Sequence, residues 1–199
     1  MSSDMTLRDH ARGAIRDEVA KHAWSLFVDQ GFEATTVDQI AEAAGMSRRT
    51  FFRYFAGKDE LVLERLVESG SQIADELRAR PVSEAAWPAL RAAFAVTIAL
   101  QEAHADKSRP LLLMLRDEPT LRTTLEARRR LWLELLAPLT AERLPRAHDR
   151  GTGPDVRAEA ITGSAIACLE TAQDAWAEHP ESSLATLLDE AMTAVAPLA

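Results

Sequence analysis

Residues 35–58 read TTVDQIAEAAGMSRRTFFRYFAGK, two short helical patterns on either side of a glycine. Thr36 stands where a helix starts, and Gln39 three residues later completes a capping box, in which each side chain satisfies the other's orphan backbone amide. Val37, Ile40, Ala41 and Ala44 recur on one helical face. Ala41 is small, so a second helix can cross close by. Gly45 follows the last apolar position, where the chain must leave the helix and glycine takes a left-handed conformation without a Cβ penalty. Ser47 is placed to cap a second helix. There Phe51, Tyr54 and Phe55 make the apolar side, leaving Arg48, Arg49, Thr50 and Arg53 outside. The pattern predicts a helix-turn-helix.

Charge points the same way. Arg48, Arg49, Arg53 and Lys58 fall between Gly45 and Lys58 without a single acid, in a chain of formal charge −8. A solvated face of an acidic protein normally mixes signs. Phosphates need lysine and arginine for counterion release, and guanine edges accept arginine bidentately. The expectation is a helix that enters the DNA major groove. Residues 1–60 hold eight bases and ten acids, and the remainder 15 bases and 21 acids. An acidic body repels DNA everywhere except at the basic helix, which helps to orient a complex.

Working outward, helical periodicity recurs almost throughout and strand alternation never persists. A first helix is expected over about Leu7 to Gln30, with Ile15, Val19, Ala23, Leu26 and Phe27 inward. Arg8, Arg12 and Arg16 recur every fourth residue on it, diluted by Asp9, Asp17 and Glu18, and read as a solvated face. Lys58 opens a long helix that Pro81 stops, shared between the amino-terminal part and the body. Ser83 through Ala103 is apolar nearly all round, which implies burial. Ser108-Arg109-Pro110 begins a short helix. Pro119 sits at a first-turn position before another long one, with Pro138 kinking its last third. Residues 145–155, PRAHDRGTGPD, read as a flexible loop holding His148 and Asp149. Two helices close the chain, about Val156–Ala177 and Ser183–Ala196.

At 199 residues the chain can bury a core, roughly 70% of its unfolded surface by size scaling. A single cysteine, Cys168, allows no internal disulfide and reads as a small buried group. No apolar run reaches the 18 or so residues of a membrane span, and the charged start has no signal-peptide core, so a cytoplasmic protein is expected. The five histidines, His10, His22, His104, His148 and His179, have no metal-ligand spacing. No phosphate loop, dinucleotide fingerprint, nucleophile elbow or zinc helix motif occurs. Neither an enzyme nor a cofactor or metal is expected.

The run FVDQGFEATTVDQIAEAAGMSRRTFFRYFAGKDELV resembles the amino-terminal domain of the TetR family of transcriptional regulators. Phe27, Gly31-Phe32, Thr35-Thr36, Ile40-Ala41, Ala44-Gly45, Ser47, Thr50, Phe55, Lys58 and Leu61 carry the likeness, over roughly residues 12–70. At Phe52 the family usually has a tyrosine, whose hydroxyl would reach a phosphate. Here that donor is missing.

The resemblance implies an all-α regulator with two domains, a helix-turn-helix DNA-binding domain at 10–70 and a helical ligand-binding and dimerisation domain at 71–199. It implies a dimer that represses from a palindromic operator until a small-molecule effector releases it. An all-helical enzyme or ligand carrier is the rival reading. In the DNA-binding set, Arg48, Arg49, Thr50 and Arg53 would meet base edges, while Thr36, Ser47, Tyr54 and Lys58 would hold phosphates beside Phe52. The stripe Leu184, Leu187, Leu188, Ala191, Met192 and Val195 reads equally as core or interface, and the family's four-helix dimer bundle selects the interface. Small residues Ala160, Gly163, Ser164, Ala165, Ala167 and Ala172 on the preceding helix permit close approach. An effector pocket is expected among Trp87, Phe94, Met114, Trp132 and Trp176, with Thr97, Gln101, His104 and Asp174 as its polar groups. Of Arg128, Arg129 and Arg130, at least two are expected to face solvent.

Overall fold

The computed structural model describes residues 7–145 and 156–197, with side chains in the first helix from residue 11 onward. Most of the 145–155 loop, with His148 and Asp149, lies outside the described residues, as do the side chains of Arg8, Asp9 and His10. The described residues form helices and no strand, and the chain divides into two compact units at Glu64 and Arg65.

The amino-terminal unit holds α1 (Leu7–Gln30), α2 (Val37–Ala43), α3 (Arg48–Tyr54) and the first turns of α4 (Lys58–Ala79). Both short helices start as the capping pattern dictates. Thr36 Oγ1 accepts from the Gln39 amide at 3.2 Å while Gln39 Oε1 accepts from the Thr36 amide at 2.8 Å, and Ser47 Oγ accepts from the Thr50 amide at 3.1 Å. The turn between them is a Schellman motif. Gly45 has φ +66° and donates to Glu42 O, and Met46 donates back to Ala41 O at 2.8 Å. Val19, Ala23, Phe27, Phe32, Ile40, Ala41, Phe51, Phe55, Leu61 and Val62 close the core. Ile15 does not join them: it is exposed, because the buried side of α1 begins only at Val19. Leu26 is half-buried.

The carboxy-terminal unit adds α5 (Ala86–Ala93), α6 (Ala95–Ala103), α7 (Ala105–Asp117), a 3-10 turn (Pro119–Leu121), α8 (Arg122–Ala141), α9 (Val156–Glu178) and α10 (Leu184–Val195). The segment read as one buried stretch from Ser83 is therefore two helices. They meet at Phe94, whose fully buried ring holds the corner while ψ opens to −15°. Leu100, expected inside, is exposed. The helix expected to start at Ser108 starts at Ala105 and carries Pro110 inside it. Helix α9 is the axis, packed against α5, α7, α8 and α10.

Side chains from distant elements finish several helix ends, where carbonyls or amides lack helical partners. Glu102 of α6 accepts from Ser183 Oγ at 3.1 Å and from the Leu184 amide at 2.8 Å, which caps α10. Arg109 stacks 4.0 Å over the Trp176 ring and donates to Trp176 O and Pro180 O at the end of α9. Arg143, buried, donates to Leu139 O and, at the end of α4, to Leu77 O and Arg80 O. Trp132 of α8 donates from Nε1 to Leu66 O at 2.8 Å and lies over Gly70, where a Cβ would run into the indole.

Candidate nucleic-acid interface

Helix α3 rests on Phe51 and Phe55, both buried, and turns the rest of its surface outward. Arg48, Arg49, Phe52 and Arg53 are exposed and Thr50 and Tyr54 half-buried. Arg49 and Arg53 form no ion pair among the described residues, whereas Arg48 Nη1 meets Asp38 Oδ2 of α2 at 2.7 Å. That pair is exposed on both sides, worth roughly 0–1 kcal/mol, so a phosphate or guanine can displace Asp38. The Tyr54 ring has the Arg53 guanidinium 5.2 Å from its centroid and that of Arg12 at 5.9 Å. The Ser47 and Thr50 hydroxyls lie 2.9 Å apart at the start of α3. Thr36, at the start of α2, keeps its exposed hydroxyl on Gln39.

Lys58 was expected at a phosphate, and the structure gives it other work. Its ammonium lies 4.2 Å from the centroid of the Phe32 ring and donates to Phe32 O at 2.5 Å, Thr35 O at 3.0 Å and Glu33 O at 3.3 Å. An ammonium has three donors, and the turn between α1 and α2 uses all of them.

Arg16 is the residue that the sequence reading missed. Far from lying on a solvated face, its half-buried guanidinium donates to Glu64 through Nε at 2.8 Å, to Glu60 through Nη2 at 2.9 Å and to the Tyr54 carbonyl through Nη1 at 2.5 Å. It also lies 4.5 Å from the centroid of the Phe55 ring. One side chain thus ties α1, the end of α3 and the start of α4. Burial raises the Glu60 carboxyl, but the Ala56 amide and the Arg16 guanidinium outweigh it and hold the group below its ordinary value. The recurrence of Arg8, Arg12 and Arg16 at every fourth residue drew notice to the position; its partners, 38 to 48 residues away, left no local signal.

In the body, a cavity of about 310 Å³ opens between α7, α8 and α9, lined by Leu112, Leu115, Arg116, Leu125, Glu126, Arg128, Arg129, Glu170, Gln173 and Asp174. Arg128 is buried and paired with Glu170, which also takes Arg129 Nη1 at 3.1 Å. Arg129 and Arg130 face solvent. Desolvation raises the Asp174 carboxyl above its ordinary value against the pull of Arg116 and Arg128. Of the nine residues expected to line a pocket, Asp174 alone lines this cavity. Phe94, Trp132 and Trp176 are closed into the core, as large apolar rings at helical spacing generally are. Trp87 Nε1 donates to Ala196 O, Gln101 accepts from Gln173, and Thr97 is buried. His104 is exposed at the α6–α7 junction and Met114 is half-buried on α7.

The stripe on α10 also needs correction. Leu184, Leu188 and Met192 are fully buried against their own chain, within the core cluster, and cannot meet a partner. Leu187 and Ala191 are half-buried and Val195 is exposed. On α9 the small residues split by exposure, with Ala165 and Ala172 inside, Gly163, Ser164 and Ala167 half-buried and Ala160 exposed. Cys168 is buried as expected.

Residues 20–64 match the family described as bacterial regulatory proteins, tetR family, and residues 84–198 match the MftR C-terminal domain. Over 184 residues the chain is 25% identical to the putative mycofactocin biosynthesis transcriptional regulator MftR of Mycobacterium tuberculosis, covering 92% of this chain and 90% of that protein. It is 40% identical over 88 residues to the HTH-type transcriptional regulator TcmR of Streptomyces glaucescens, a match spanning 44% of this chain and only 39% of that relative. Among solved structures, FadR of Thermus thermophilus, a TetR-family repressor in complex with lauroyl-CoA, superposes with a TM-score of 0.60 at 25% identity, over 89% of this chain and 91% of that one. The fold, the capped helix-turn-helix and both family matches agree, and the chain belongs to the TetR family of bacterial regulatory proteins, with a body of the MftR C-terminal type.

Proposed function

We propose that the chain is a dimeric transcriptional repressor that binds an inverted-repeat operator and is released by a small amphipathic molecule. The observation that carries this reading is α3 itself: a capped helix, seated on two buried phenylalanines, that presents Arg49 and Arg53 on an acid-free face. Selection of bound duplexes from a random pool should return an inverted repeat. Replacing both arginines by alanine should abolish that enrichment. An asymmetric site, or no site at all, would count against the reading.

For the dimer, the outward side of α9 (Ala160, Gly163, Ser164, Ala167), together with Leu187, Ala191 and Val195 of α10, replaces the stripe read from sequence. Small side chains there let a partner helix approach closely. Ala167→Arg should yield monomers with a folded body and weak operator binding. Sedimentation of the wild type as a monomer at micromolar concentration would overturn the interface.

For the effector, the cavity between α7, α8 and α9 joins three leucines to a polar rim of three arginines and the carboxylates Glu126, Glu170 and Asp174, with Arg128 and Arg129 paired to Glu170. This suits an apolar tail with an anionic or strongly polar head. Fatty acyl thioesters are the class to test first, since FadR of Thermus thermophilus holds lauroyl-CoA.

A further inference from the structure

Phe52 is 47% exposed on α3, while its neighbours Phe51 and Phe55 are 0% and 2% exposed. A phenylalanine left in water forgoes the burial that normally places it inside. The ring is nonetheless held in position. It stands edge-on to Phe51, with centroids 5.6 Å apart at 89°, and the Arg48 guanidinium lies 5.5 Å from its centroid. Arg48 in turn meets Asp38 in the exposed pair described above. An apolar ring therefore stands exposed on the cationic face, among Arg48, Arg49 and Arg53.

Phenylalanine has no donor or acceptor, so this position contributes no hydrogen bond to a phosphate or a base edge. Base edges in the major groove carry one apolar group, the C5 methyl of thymine. We infer that Phe52 is a specificity-determining residue that packs on a thymine methyl, once in each half-site. The inference rests on the DNA-binding reading above and adds to it the base that this side chain selects. Phe52 is thus an apolar reader between two exposed arginines, and no stand-in for a phosphate contact.

Deoxyuridine pairs as thymine does and lacks only the methyl, which makes it the probe. The full-length protein is first given an operator by selection from random duplexes. Each thymine is then replaced by deoxyuridine, one symmetry-related pair at a time, and affinity is measured for wild type, Phe52→Ala and Phe52→Gln. One pair of positions should cost the wild type about fourfold per half-site, the value of one buried methyl-sized group, and roughly fifteenfold when both are changed. Both variants should bind the thymine and uracil operators equally, with circular dichroism unchanged and a melting temperature lowered by no more than the loss of one half-exposed edge contact with Phe51. Phe52→Tyr should retain the discrimination. Operator binding with a flat uracil scan, or with the same loss in Phe52→Ala, would overturn the inference and leave the DNA-binding reading standing. Failure of any duplex to be enriched would overturn both.

Discussion

Lys58 shows how a charge beside the DNA-binding helix can be engaged by the fold itself. It opens α4 just beyond the recognition helix, where a cation suits a phosphate, and nothing local says otherwise. Its acceptors lie on the turn at 32–35, more than twenty residues back, and only the folded unit brings them together. Hydrogen bonds from a charged donor are worth about 1.5–3 kcal/mol each when well sheltered, and these are partly solvated. Lys58→Met should therefore lower the stability of the amino-terminal unit by about 1–3 kcal/mol in urea unfolding. The slope of operator affinity against salt should stay unchanged, since no phosphate contact is lost. Arg49→Ala is the contrast. It should leave stability alone, cost about 1–3 kcal/mol of affinity and relax base preference at one operator position. A drop of roughly one in the salt slope of Lys58→Met would return the lysine to the backbone.

Between elements, Arg16 and Gly70 define how neighbouring helices are seated. Arg16 joins α1, α3 and α4 through two carboxylates and one carbonyl. Glu60, one of those carboxylates, has a folded pKa below its unfolded one. Its contribution is therefore complete above the ordinary glutamate value of about 4.3 and is lost as pH falls through the lowered value. Arg16→Gln should flatten this acid-side loss of stability, measured as urea midpoints between about pH 3 and 6. An unchanged pH profile would mean that Glu60 draws its shift from the Ala56 amide and the charge of Arg12 without Arg16. Gly70→Ala sets a methyl group against the Trp132 indole, which must then leave Leu66 O; overpacking of this kind costs about 1–3 kcal/mol. Calorimetry and tryptophan emission would register it. The two short helices, their caps and the Gly45 turn were legible because each is written in adjacent residues. The corner at Phe94 was not, since it depends on which side of a uniformly apolar stretch finds a neighbour. The α10 stripe failed for the same reason: Leu184, Leu188 and Met192 look identical whether α9 belongs to their own chain or to a partner's.

At the scale of the whole molecule, α4 spans the division between the units, and the cavity proposed for the effector is lined by none of its residues. Under the proposed function, the contacts that reach α4 from the cavity run through α8: Arg128 lines the cavity and stacks 5.1 Å from the centroid of the Trp132 ring, and Trp132 holds Leu66 O of α4. A ligand that draws Arg128 or Glu170 toward itself would thereby disturb the seat of α4. It can release operator only if it prefers the released shape, and a swing from 1:99 to 99:1 needs about 10⁴-fold preference. Lauroyl-CoA is the first probe, and two affinity ratios must be measured: for operator with and without the thioester, and for the thioester with and without operator. Linkage makes the two ratios equal. Leu125→Trp, which fills the cavity, should abolish thioester binding and leave operator affinity intact. Trp132→Phe, which removes the indole donor, should leave both separate affinities close to wild type and bring the two ratios toward one. If Trp132→Phe kept the full wild-type ratio, coupling would pass around the indole, and the contact with Leu66 would serve only to pack α8 against α4.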